Sequence, residues 1–434
     1  MATKNLSGSG VLFTDRRDFY ISPDVVKELW TDVTPFTTLV ANREQRTPTD
    51  PVFKMFEHRN PWQRQTFLIN GTDPANVAAG SNSESEVMTV GSITGLASVP
   101  DASWVGLVAE IWDATDSFAT MLGHALITTS TALNAVKFKN IGTVDINADN
   151  GDKFVIIGNA HGEGTVSPAA WSDELQVVYN STQIFKTPLE ITGTLEAAAL
   201  RGESSELARL RMQKAQEHKI QKERAFLFGH NPKGTNLGGS ETFADAAITD
   251  ASGNIVRSTV GILTAIEKYG ATSGDDQNQF TISEATYSYS NFVDDMEKVF
   301  QYVPEEGMKF AFCGRGAMSY FSKIDGSSGL AGNSGWTVNL GPTERSTYGF
   351  NMRMLETPHG VLALVPTPVL RSEHNKQMLI VSDENLFHSV YRPPVYQTNI
   401  KTDDAFDGVK DQYMSDEGIG ITLVESHKLF SITA

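Results

Sequence analysis

One cysteine, Cys313, occurs in 434 residues. No disulfide can close within the chain, and a reducing compartment suits its folding. Cys313 ends the apolar run MKFAFC, after Phe310 and Phe312, which marks a buried, inert thiol rather than a nucleophile. Long apolar runs are also missing: none approaches the roughly 20 residues of a membrane-spanning helix. The opening residues, MATKNLSGSG, lack the apolar core of a secretory signal. Basic charge is scarce, with 35 Lys and Arg against 52 Asp and Glu and a net charge of −17. Such a chain carries no footprint of sequence-reading nucleic-acid binding, and its acidity favours solubility at high copy number.

Catalytic motifs are lacking as well. GxSxG, HExxH and CxxC do not occur. Asp145, Asn147 and Asp149 imitate the start of a calcium loop, but Asn150 stands where Gly is needed and Ile156 where Glu is needed. GNAHGEG lacks the Lys-Ser/Thr of a phosphate loop, and GHNPKG has the wrong spacing. His161 beside Glu163 in a glycine-rich loop reads as a turn rather than a metal site. Asp403, Asp404 and Asp407 offer carboxylates for a glycosidase pair but sit in a loop of solvated composition. The expectation is a non-enzyme with no catalytic residue, cofactor or metal ligand.

What is present is an ordinary folded composition, 40% hydrophobic and 20% charged, punctuated by Gly, Ser, Thr, Asn and Asp. That favours a strand-rich α+β chain of about two or three domains. Residues 1–48 read as an extended arm. It holds one short helical piece at Pro23–Leu29, and TPFTTLVANREQRTPTDP then returns to turns and strand. PVFKMFEHRNPWQRQTFLI is a strand pattern broken at Pro61. Residues 71–100 read as a loop or tip, and Trp104–Leu122 fits helix or strands equally. Short strands alternate with turns from Ala135 to Val178. Further on, a short helix is expected within Val256–Tyr269 and an amphipathic helix over Asn291–Val303. A buried strand at MKFAFC, a helix at RGAMSYFSKI, a loop at Gly326–Gly335 and a hairpin around Pro358-His359-Gly360 follow. From Gln377 strands dominate, separated by an acidic loop from Asp403 to Asp416.

The stretch from Ser181 to Gly229 organises the chain. Ile184, Leu189, Ile191 and Leu195 lie in an extended, Thr-rich run broken by Gly193 and Gly202. A helix capped by Ser204 follows, free of Gly and Pro until Gly229, about 35 Å long. Its ends are apolar and its middle is charged nearly all round, with no single apolar stripe. Two readings fit: a solvated surface helix held by pairs such as Glu206–Arg209 and Lys214–Glu217, or a strut fixed at both ends and exposed along its length.

YNSTQIFKTPLEITGT, followed by a helix ending ERAFLFG, is similar to the spine region of tailed-phage major capsid proteins of the Hong Kong 97 fold. The order of elements resembles that family over most of the chain. The resemblance implies an N-terminal arm (1–48) and an extended-loop hairpin with a β-rich insertion (49–192), pairing Pro51–Phe56 with Val177–Thr192. It further implies a peripheral domain with the spine helix at about 204–228 (193–288), an axial α/β domain (289–376) and C-terminal strands returning to the peripheral domain (377–434). The implied function is self-assembly into the icosahedral head shell of a tailed double-stranded DNA phage, as hexamers and pentamers. Portal, scaffolding and decoration proteins are the implied partners, with assembly in the host cytoplasm and no membrane. The alternatives are the shell of a cargo-holding nanocompartment of the same fold, or a β-rich hydrolase or adhesin. The loop region is longer than the family's core form. No scaffold-like helical segment precedes the arm, so scaffolding is expected to be a separate protein. Phe53, Phe56, Trp62, Ile184 and Phe185 are the candidate inter-subunit hairpin residues. Arg209, Arg211, Lys214, Lys219, Lys222 and Arg224 are the candidate interior, DNA-facing residues of the helix. Its Glu206, Glu217 and Glu223 leave the helix locally basic. Either these charges touch DNA phosphates loosely, or they pair along the helix and solubilise it.

Overall fold

The computed structural model describes residues 34–433 apart from 59–64, 71–74, 81, 95, 97–99, 132–134, 171, 173–174, 198–204, 232–248, 274–275, 303–306, 322–342, 346–349 and 401–406. Pro23–Leu29, most of the arm, Trp62, Ser204, Asp403, Asp404 and Gly326–Gly335 lie outside the described residues. The chain splits into two compact units, Glu57–Gln176 and the remainder, Met1–Phe56 with Val177–Ala434.

The larger unit begins with helix α1 (Pro35–Asn42), where the sequence suggests turns and strand. Pro35 presets the first-turn backbone angle. Phe36, Leu39 and Val40, at i, i+3 and i+4, are wholly buried. Phe36 meets Phe312 edge-on at 5.2 Å. This part of the arm is therefore docked on its own subunit, and tertiary burial outweighs the weak helix propensity of its two Thr and one Val. β1 (Gln45–Arg46) and β2 (Val52–Glu57) follow.

The smaller unit holds β3 (Thr66–Ile69), β4 (Ala75–Val77), β5 (Met88–Thr94), β6 (Leu107–Trp112), β7 (Met121–Thr131), β8 (Ala135–Asn140), β9 (Ile146–Ala148) and β10 (Lys153–Asn159). Six of these close into a barrel in the order β10-β3-β5-β8-β7-β6, and β4 pairs with β9. Phe67, Trp104, Ile111, Ile127, Phe138 and Phe154 fill its core. Phe67 stacks on Phe154 at 4.7 Å. The stretch Trp104–Leu122, open between helix and strand, resolves as strands because Ala109 and Ile111 alternate inward. The supposed tip at 71–100 likewise supplies β4 and β5. Closure leaves this small sheet without free edges.

Back in the larger unit, β11 (Gln176–Ser181) pairs with β2. β12 (Gln183–Thr192) leaves that hairpin and pairs antiparallel with β20 (Gly408–Ile421), from Gln183↔Glu417 to Thr192↔Gly408. The expected hairpin of Pro51–Phe56 against all of Val177–Thr192 is thus limited to its first strand. The buried Asn180 side chain turns the chain at the switch: its amide donates to Ile419 O at 2.8 Å and its oxygen accepts from Val260 N at 3.0 Å. β12 then buries Phe185, Thr187, Leu189 and Ile191 on one face.

After α2 (Gly193–Ala197) comes the long helix α3 (Glu206–Phe228), capped by Ser205 rather than Ser204. α4 (Ile262–Tyr269), β13 (Gln279–Ser283), α5 (Tyr289–Val299), β14 (Met308–Cys313), α6 (Arg315–Phe321), β15 (Thr343–Arg345), β16 (Asn351–Thr357) and β17 (Gly360–Pro366) follow. β18 (Gln377–Val381), β19 (Leu386–Gln397), β20 and β21 (Lys428–Thr433) complete the chain. A seven-stranded sheet runs β13-β21-β18-β14-β17-β16-β15, and a four-stranded sheet runs β1-β19-β20-β12. The C-terminal strands are therefore shared: β18 and β21 belong to the sheet of β14, while β19 and β20 belong to that of β12. β14 is buried on both faces, with Phe310 and Phe312 in one apolar cluster and Ala311 and Cys313 in another. Where the sequence reads as an acidic loop up to Asp416, β20 already begins at Gly408. The α+β class expected from composition is the one observed.

Candidate functional site: the long helix and its acidic bed

Helix α3 is 23 residues long, roughly 35 Å. Its end is fixed by close backbone approach. A Cβ on Gly229 would lie 2.3 Å from Thr259 O, and one on Gly261 would lie 2.5 Å from Leu227 O. Only glycine fits where the end of α3 meets the start of α4.

The middle of α3 is not solvated all round. On β20, Asp411, Tyr413, Ser415 and Glu417 alternate toward the helix. Arg211, His218 and Lys222, at i, i+7 and i+11, share the helix face above them. Arg211 donates to Asp411 Oδ2 through Nη2 at 2.8 Å and Nε at 3.2 Å. Asp411 also accepts from the Tyr396 hydroxyl and, at 2.8 Å, from Asn399 N. Burial favours its neutral form, but these donors outweigh burial and hold the Asp411 carboxyl below its usual range. Burial, with Asp411 as hydrogen-bond partner, pushes Tyr396 up to about 12.

His218 lies between Thr187 Oγ1, 3.0 Å from Nδ1, and Ser415 Oγ, 3.1 Å from Nε2. Burial, then the neighbouring Lys222, pushes its pKa down. Lys222 Nζ lies 3.3 Å from both oxygens of Glu417, whose side chain is inaccessible to solvent. His388 Nε2 sits 3.0 Å from the same carboxylate. Glu417 titrates below its ordinary value, the bonds from His388 and Lys222 overcoming its burial.

Glu223, 0% exposed, faces α1. It accepts from Phe36 N at 3.2 Å, Thr37 N at 2.6 Å and Thr37 Oγ1 at 2.6 Å. Those amides are orphan donors of the first turn of α1, and Thr34 offers no side-chain cap. A residue 187 positions away supplies the cap instead. Burial pushes the Glu223 pKa up to about 7 against these bonds.

The six basic residues of α3 therefore divide. Arg209 pairs with Glu206 and Lys214 with Glu217 along the helix. Arg211 and Lys222 pair with β20. Lys219 and Arg224 are the exposed ones. Five residues apart, they point about 140° from each other, so they form no common stripe. The acidic bed escaped sequence reading because DQYMSDEG resembles a loop. The signal that reveals it is the alternation of acids on β20 matched to basic residues at helical spacing.

The hairpin candidates divide too. Phe53 and Phe185 belong to the subunit's own core, Phe53 against Phe387 and Phe185 against Phe226. Phe56 is 74% exposed and Ile184 41%. Cys313 is buried, and burial pushes its thiol well above the ordinary range. Among the described residues, no group of three His, Cys, Asp or Glu is placed to hold a metal ion. None of their helices is long and apolar enough to cross a membrane.

The long helix that the sequence resemblance implies is present, but Arg211 and Lys222 bed its middle on β20 rather than leaving it exposed along its length. The family model described as SU10 major capsid protein matches residues 24–413. The chain belongs to this family. As a major capsid protein it is a structural subunit of a tailed-phage head shell, located in the virion and assembling with copies of itself. Among solved structures it is similar to the capsid of a native GTA particle, at 9% identity and TM-score 0.48 with 99% of each chain covered. It is similar to that of Microbacterium phage Oxtober96, at 10% identity and TM-score 0.46, over 97% of this chain and 98% of the other. Mycobacterium phage Bobi gives 8% identity and TM-score 0.43 over 97% of each chain. No curated protein matches the sequence. The assignment rests on the family match.

Proposed function

We propose that this major capsid protein forms hexamers and pentamers that close into an icosahedral shell around double-stranded DNA. Assembly takes place in the host cytoplasm, with scaffolding, portal and decoration proteins as separate partners. One observation carries the reading: beyond its own filled cores, the larger unit leaves Phe56, Ile184, Met212 and Val395 exposed at 74, 41, 59 and 45%. Burying such side chains between copies at about 25 cal/mol per Å² stabilises an assembly of an otherwise complete subunit. The genome contact is loose and electrostatic. Four of the six helix cations hold ion pairs, which leaves Lys219 and Arg224; Arg224 lines the groove beside β12, and Lys219 meets phosphates without reading sequence.

The test is sedimentation and electron microscopy of the full chain, alone and with its scaffolding protein. Closed shells or hexamers and pentamers are expected. A compact monomer at every concentration, with scaffold present, overturns the reading. DNA-free particles from infected cells that hold protein cargo support the nanocompartment instead.

A further inference from the structure

The four-stranded sheet ends in β12, whose outer edge pairs with no strand among the described residues. Ten residues of free strand edge form a template for a further strand. Pro188 lies within it, opposite Gln412, without interrupting the ladder to β20. Having no N–H to give that ladder, Pro188 fits there because its nitrogen faces the free edge. Antiparallel alternation then turns the backbone N–H groups of Ile184 and Lys186 outward as well. Beside them runs an open groove of about 510 Å³. Gln183, Ile184 and Lys186 of β12 line one side, and Gln221, Arg224 and Phe228 of α3 line the other.

The charged side chains that line this groove have one sign. Lys186 and Arg224 line it and no carboxylate does. Next to it, Arg257 and Arg392 both reach Asp416, the residue opposite Ile184, at 3.4 and 3.3 Å. These contacts are long for charge-assisted hydrogen bonds. One buried carboxylate thus holds two guanidiniums, each partly exposed, 26% and 45%.

We propose that an extended acidic segment of a second copy of this chain adds to the free edge of β12 as a fifth strand. Its main chain bonds the outward N–H and C=O groups, an apolar side chain covers Ile184, and its carboxylates meet Lys186, Arg224 and Arg257. A second copy fits because the chain carries a net charge of −17 and assembles with itself. DNA offers the cations phosphates but no strand for the backbone edge. The inference rests on the shell-building reading.

The experiment places a photo-crosslinking phenylalanine analogue at position 184 of the full chain and illuminates assembled particles. The expected product is a dimer whose second peptide is an acidic segment of this chain. Crosslinks confined to one chain, or made to a scaffolding protein or to DNA, overturn the proposal. A second arm uses Lys186→Pro, which removes one outward N–H and leaves the ladder to β20, with Lys186→Ala as the charge control. Lys186→Pro is expected to fold with a melting temperature near wild type and to lose shells. Lys186→Ala is expected to keep them, with greater sensitivity to salt. Shells at wild-type yield from folded Lys186→Pro overturn the proposal, and if that variant fails to fold, the crosslink decides. Wild-type chain that forms no shells fails the shell-building reading itself, an outcome distinct from shells indifferent to the edge.

Discussion

Glu223 shows how one buried carboxylate couples two distant parts of the chain. Its folded pKa, about 7, lies above the ordinary 4.5. The folded state therefore binds this proton more tightly than the unfolded state. The cost of ionising Glu223 is absent below about pH 4.5 and fully present above about pH 7, and corresponds to about 3 kcal/mol. Glu223→Gln should flatten the dependence of melting temperature on pH across that window. Glu223→Ala leaves two helix amides without an acceptor and should destabilise by about 1–3 kcal/mol. Thermal melts of the three proteins from pH 4 to 8 check both outcomes. Lys309 works in the opposite sense. Buried and donating to Val299 O and Ser426 O, it has a pKa pushed down to about 7 by burial and then by Lys428. Its charging penalty vanishes as pH rises from about 7 toward 10.5. Wild type should therefore gain stability over that alkaline range relative to Lys309→Met, as denaturant titrations at the two extremes would show. Cys313→Ser should leave assembly intact, with a loss of about 1–3 kcal/mol from burying a hydroxyl. Loss of particles from a folded variant would give the thiol a role.

At the scale of elements, α3 and β20 act as one piece. Lys222→Glu places a second negative charge against the buried Glu417 and should cost about 3 kcal/mol or more. Arg211→Glu should cost less, since Arg211 is more than a third exposed. The double change should compromise folding of the larger unit before any effect on packaged DNA is visible. Lys219→Glu should fold normally and alter only the salt sensitivity of filled particles. Circular dichroism separates the first outcome, and particle stability against salt the second. Helix α3 was legible because 23 residues without Gly or Pro, bounded by Ser and Gly, have few other solutions. The partner strand was not, since Asp, Ser and Gly carry the composition of a turn until an Arg and a Lys on a facing helix neutralise the acids. α1 was missed for a related reason: its cap comes from Glu223, which no local pattern around Pro35 reveals. Trp62 falls outside the described residues and the cap of α3 is Ser205, one residue past the expected Ser204, whereas Ile184 and Phe56 are exposed.

For the molecule as a whole, the sequence conveys the long helix and the strand-rich C-terminal part, and the family match covers residues 24–413. It conveys much less about which strands meet, because pairings such as Gln183↔Glu417 join residues more than 200 positions apart. The β-rich insertion is legible as strands and turns but not as a barrel, since closure depends on β10 meeting both β3 and β6. With a closed sheet and a separate apolar core, residues 57–176 should fold cooperatively when produced alone. A single sharp melting transition with dispersed amide resonances is the expected result, and a broad, featureless melt the contrary one. β2 and β11, which lead into and out of this unit, are paired neighbours. Two adjacent chain ends make a socket: any domain whose own termini lie side by side is a geometrical substitute. A shell built on such a subunit would carry one cargo tag per copy, at a repeat set by the lattice, without alteration of the helix, the acidic bed or the β12 edge.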